Sequence, residues 1–158
     1  MKNIIGLLAL ITVIFSSQVF ATTPEDVKSL VKCTESWPNH PFGTITTDSK
    51  IRVIRGQVKV AGVGGETKDT IVTTKPELIL VRPSVSVMST ANYELMNPNG
   101  WYCFTGKVTV MGASHIIAHC DAKLSSSEGV TVFGKGDPNS QGTTVMGSSS
   151  VKRVNCKK

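Results

Sequence analysis

Aromatic side chains are scarce in this chain: five Phe, two Trp and two Tyr among 158 residues. A core built from it must therefore rest on Val, Ile, Leu and Met. No second long apolar run follows the first twenty residues, which excludes an internal membrane-spanning helix. No two cysteines stand close together; their spacings are 70, 17 and 36 residues, and a four-thiolate zinc site normally shows C-x-x-C pairs. A complete catalytic, nucleotide or metal motif is missing throughout. So is any N-x-[Ser/Thr] acceptor, a lack compatible with a bacterial source.

What is present begins with an address. Lys2 is a short basic start, Ile4 to Phe15 is an almost unbroken apolar run, and Val19-Phe20-Ala21 places suitable residues before a cleavage point. Residues 1–21 are expected to be a signal peptide, removed after Ala21. The apolar run is too short for a stable transmembrane anchor, and no cysteine follows Ala21 to accept a lipid. Removing 21 of 158 residues leaves 137, a size suited to one domain with one modest core. The expected location is periplasmic or secreted.

Cys33, Cys103, Cys120 and Cys156 all follow the leader, an even number in a chain bound for an oxidising compartment. They are expected to form two disulfides. Three pairings are open. Cys103 with Cys120 closes the shortest loop and leaves Cys33 with Cys156 to tie the two ends together.

Of 17 basic residues Lys2 belongs to the leader, and four of the remaining 16 are Lys152, Arg153, Lys157 and Lys158; the other 12 nearly balance 11 acidic residues. A nucleic-acid surface would spread its cations along a groove and interleave them with aromatics. The concentration at the C-terminus reads instead as a solvated tail, so no nucleic-acid partner is expected.

Thr23 as N-cap, Pro24 at the first helical position and Glu25-Asp26 in the first turn predict a helix from Pro24 to about Cys33, with Val27, Leu30 and Val31 on its apolar face. A Pro- and Gly-rich connection, Trp37 to Ser49, follows. The divisions expected are 1–21 leader, 22–49 helix and connection, and 50–158 a β-rich body with a basic tail. In that body Val85-Ser86-Val87-Met88-Ser89, Val108-Thr109-Val110-Met111-Gly112 and Val130-Thr131-Val132-Phe133-Gly134 repeat at steps of 23 and 22 residues, with looser copies at Val58 and Thr143. Such a step lets each turn of a coil stack on the last, so the valines would form internal ladders and Met88, Met111 and Phe133 would fill a corner. The expected fold class is all-β: a short parallel β-solenoid-like body with a small N-terminal helical cap. The alternative is an antiparallel sandwich or meander written in the same Val-Thr-Val style.

Candidate chemistry is thin. Gly62-Val63-Gly64-Gly65-Glu66-Thr67-Lys68-Asp69-Thr70 has the flavour of a phosphate loop, but Thr67 and Asp69 stand where Gly and Ser or Thr are required; it reads as a hairpin loop. His115 and His119 would share a helix face and hold a metal, but Ile116-Ile117-Ala118 reads as strand, on which four residues span about 13 Å. Asp137 to Gly142 lacks the spacing of a calcium loop and reads as a turn. Trp101-Tyr102-Cys103-Phe104 concentrates bulky side chains; on a strand Trp101 and Cys103 share one face and Tyr102 and Phe104 the other. Trp101, Tyr102 and Phe104 are the candidate binding residues, because rings on a sheet surface hold sugars or peptides at little entropic cost.

The function expected is a non-enzymatic, disulfide-stabilised binding or structural protein of the envelope or exterior. It would be a monomer without cofactor, its partner a glycan or an envelope protein. The rival is a small polysaccharide-acting hydrolase or lyase. That chemistry needs paired carboxylates, and only Glu94, Asp121 and Glu128, with Lys107 and Lys123, offer themselves on successive turns.

Overall fold

Helix α1 (Pro24–Glu35) starts at the predicted cap and ends two residues later than expected. Thr23 Oγ1 accepts the Asp26 N–H at 3.2 Å while Asp26 Oδ2 accepts the Thr23 N–H at 2.9 Å, a reciprocal box that satisfies two otherwise orphaned donors. The structure, a computed structural model, describes residues 22–55, 59–60, 66–82, 84–132, 134–135, 143–144 and 149–157. The expected leader, Phe133 and the segments 61–65 and 136–142 lie outside them.

The strands are β1 (Arg52–Arg55), β2 (Lys59–Val60), β3 (Glu66–Asp69), β4 (Glu77–Arg82), β5 (Val85–Val87), β6 (Asn92–Leu95), β7 (Gly100–Phe104), β8 (Val108–Val110), β9 (His115–His119), β10 (Lys123–Ser126), β11 (Val130–Val132), β12 (Gly134–Lys135), β13 (Thr143–Thr144) and β14 (Ser149–Val154). They form three sheets. The first has the order β1-β4-β7-β10, the second β2-β5-β8-β11-β13 and the third β3-β6-β9-β14-β12. Up to β12 the chain visits the three sheets in strict rotation, and among the described residues every strand pairing is parallel.

The valines of the repeat are in register: Val85 with Val108 and Val130, and Val87 with Val110 and Val132. The looser copies join the same sheet, Val60 opposite Val87 and Thr143 opposite Val130. After the second valine pair the backbone turns through positive φ, 67° at Ser89 and 78° at Gly112, which accounts for a small residue at the fifth position. Met111 does not fill an interior corner; it is 43% exposed.

The expected fold class is corrected in three respects. First, the chain is not all-β: among the described residues it is mostly strand in wholly parallel sheets and carries one 12-residue helix. Second, that helix is not an end cap. It lies on the first sheet against β7 and β10, bound through Cys33 to Cys103, because the outer side chains of that sheet, Leu78 and Leu80, are apolar and need cover. Third, the uniform step of a solenoid fails at the third sheet, where β14 takes the place beside β9 and meets β12 only at Ser149 and Ser150. The antiparallel alternative falls with the parallel pairings. The segment read as a hairpin loop contains β3, paired in parallel with β6.

Two apolar clusters result. One fills the space between the sheets, with Ile79, Val81, Val87, Tyr93, Leu95, Phe104, Val110 and Ile116 buried. The other lies between the outer face of the first sheet and the N-terminal segment, joining Leu30, Cys33, Trp37 and Ile45 to Leu78, Leu80 and Cys103.

Candidate functional site

The two faces of β7 have different fates. Tyr102 and Phe104 point inward and are 0% and 1% exposed. Their rings pack between the sheets in the interior cluster, so of the three candidate binding residues only Trp101 borders a cleft. Trp101 stays half-buried on the outer face, in register with Leu78 on one side and Lys123 on the other.

The connection after α1 folds down onto Trp101. Ser36 ties the end of the helix to β10 through a hydroxyl contact with Ser125 at 2.7 Å. Trp37 then meets Trp101 edge-to-face, with ring centroids 5.4 Å apart and planes at 85°. Phe42 meets the same indole at 5.7 Å and 88°. Edge-to-face pairs favour the quadrupoles of both rings, and two of them fix the orientation of Trp101. Beside it opens a cleft of about 310 Å³, lined by Trp37, Pro38 and Trp101 with Ser36, Asn39, Lys123 and the β10 segment at Leu124. The volume is at the lower end of the range for small-ligand sites. Trp37 and Trp101 are the only tryptophans of the chain, so both indoles belong to this one cleft.

A charged network, not foreseen from the sequence, closes one end of the interior. Arg52 occupies the inward position that Ile79, Tyr102 and Leu124 take on successive strands, and Asp69 the one that Leu95 and Ala118 take. Arg52 donates to both Asp69 oxygens at 2.9 Å, and its Nε lies 3.0 Å from Glu77 Oε2. Tyr102 donates to Asp69 at 2.6 Å and accepts the Asn97 N–H at 3.3 Å, while Asn97 Nδ2 donates to Glu77 at 3.0 Å. Burial opposes the charge of Arg52, but the Asp69 and Glu77 carboxylates more than offset it and raise its pKa. Burial, and then the Asp69 carboxylate, hold the Tyr102 and Tyr93 protons well above the ordinary phenol range. The alternation Ile51-Arg52-Val53-Ile54 was the available signal, since it puts an arginine in line with an inward rung.

The remaining candidates do not converge. His115 and His119 lie half-buried along β9, and His119 Nδ1 accepts the Asp121 N–H at 3.2 Å. Among the described residues no group of three His, Cys, Asp or Glu is placed to hold a metal. Glu94 pairs with Lys68 at 3.5 Å on the third sheet, Asp121 stands 3.7 Å from His119 in the turn before β10, and Glu128 is exposed in the turn before β11. Lys107 is exposed just before β8.

All four cysteines are paired, Cys33 with Cys103 and Cys120 with Cys156. This replaces the shortest-loop pairing. Cys103 faces outward toward α1, while Cys120, at the end of β9, meets the chain as it leaves β14. Two disulfides are compatible with an exported, disulfide-stabilised protein. Among the described residues no helix is long and apolar enough to cross a membrane. Compared with known proteins, the chain matches no family model, no curated protein and no solved structure.

Proposed function

We propose that this chain is an exported, non-enzymatic glycan-binding protein of the periplasm, cell envelope or exterior, and that it binds at the Trp101 cleft. The leader-like start and the two disulfides support the location. The observation that carries the activity is the half-buried Trp101 indole, held by Trp37 and Phe42 at the mouth of the cleft. A sugar ring presents one apolar face and a rim of hydroxyls. An immobilised indole beside the amide of Asn39 suits both, at little entropic cost on binding.

The test uses the intrinsic fluorescence of the mature chain, residues 22–158, because both tryptophans wall the cleft. Titration with a panel of neutral and acidic oligosaccharides is expected to shift the emission saturably. Trp101→Ala should lose that binding, read by calorimetry. A panel with no saturable response by either method would sink the proposal; release of new reducing ends from any member would replace binding with hydrolysis or lyase chemistry.

A further inference from the structure

Three strands set a line of side chains across the outer face of the first sheet: Leu78 on β4, Trp101 on β7 and Lys123 on β10. Adjacent strands lie about 4.8 Å apart. The ammonium of Lys123 is thus carried one rung beyond the indole, at the edge of the same cleft. Lys123 is exposed, and it forms no salt bridge among the described residues. Among the described residues no carboxylate lines the cleft. Asp121, two residues before Lys123, stands 3.7 Å from His119 Nδ1.

The negative end of α1 also lies here and would oppose an anion. Its last carbonyls are already engaged: Cys33 O accepts from Ser36 N–H and Oγ, and Thr34 O from Trp37 N–H. What remains at the cleft is an aromatic wall, the exposed amide of Asn39 and Lys123, a cation without a salt bridge among the described residues.

Resting on the glycan-binding reading, we propose that the cleft selects acidic glycans, with Lys123 pairing a uronate carboxylate while the sugar ring lies against Trp101. A single ammonium beside a stacked ring suits a polymer with one carboxylate per residue better than a lipid headgroup, which offers no ring to stack.

The experiment compares oligogalacturonate and oligoalginate with their methyl-esterified forms, which keep the sugar and remove the charge. Binding is followed by tryptophan fluorescence and calorimetry in wild type, Lys123→Gln and Lys123→Arg. Wild type is expected to prefer the free acid about tenfold, the scale of one charge-assisted hydrogen bond. Lys123→Gln should remove that preference by weakening acid binding far more than ester binding, and Lys123→Arg should restore most of it. Raising salt should weaken acid binding alone. Equal affinity for acid and ester in wild type overturns the role of Lys123 while glycan binding stands. Equal loss of both ligands in Lys123→Gln also overturns it, since that marks a structural residue. Binding of neither form, and of no neutral oligosaccharide, ends both proposals.

Discussion

The first and second sheets are built on the same turns of chain yet differ in how many of their faces are dry. In β4 the run Leu78-Ile79-Leu80-Val81 is buried without interruption, whereas β5 and β8 alternate, with Ser86 and Thr109 half-exposed between buried valines. The first sheet therefore packs its inner face on the other two sheets and its outer face on α1 and the connection through Ile45. Covering that outer face creates the edge along which Trp101 and Lys123 meet solvent. The lesson is that an unbroken apolar strand demands a second layer, and the rim of that layer is where a cleft forms.

The comparison breaks most severely at Leu80, fully buried on the outer face. Leu80→Ala should cost about 2–5 kcal/mol, as for other large-to-small changes in a packed core, read by chemical denaturation. A cost under about 1 kcal/mol would mean the helix layer contributes little.

Next come the disulfides. Cys33 and Cys103 lie buried beneath the helix, while Cys156 is exposed. Mild reductant with alkylation and peptide mapping should label Cys120 and Cys156 first. Replacing Cys33 and Cys103 together by Ser should cost about 2–4 kcal/mol; simultaneous labelling of all four thiols would contradict a protected clasp.

A smaller effect sharpens the contrast between the two ends of the interior. Tyr93 and Tyr102 keep their protons more tightly in the folded chain than at the ordinary phenol pKa of about 10. Their neutral forms thus contribute stability that is intact below pH ~10 and is lost as pH rises toward the raised folded values. Thermal melts should fall steadily above pH ~10, and Tyr102→Phe should flatten that fall. A wild-type melt unchanged between pH 9 and about 11 would argue against the buried phenols.

Least of all should follow from the bare face. Thr109→Ala on the second sheet is expected within about 0.5 kcal/mol of wild type. A loss above about 1 kcal/mol would reveal a layer on that sheet as well.

Much of the scaffold was legible because its signals are local. The Thr23-Pro24-Glu25-Asp26 cap follows from side-chain hydrogen bonding, the Val-rich strands from a two-residue period, and the valine register from the same short motif recurring at steps of 23 and 22 residues. The site was legible only in part. Trp101, Tyr102 and Phe104 stand out together as bulky rings, yet strand alternation gives two faces without saying which ring borders a cleft; both faces of β7 are covered, and of the three rings only Trp101 stays half-buried. Arg52 and Asp69 were missed because a charge at an inward position reveals its partner only when distant strands are stacked.

By itself the sequence determined the helix and the Val-rich strands, which valines stack through their 22- to 23-residue repeat, and that four cysteines serve two bridges. Only the tertiary structure decided that the helix covers a sheet instead of an end, that Cys33 meets Cys103, that β14 slips in beside β9, and that Trp37, Trp101 and Lys123 share a cleft. The reason is range: dihedral preference and apolar period act over a few residues, whereas face coverage and partner choice are set by residues 36 to 89 positions apart.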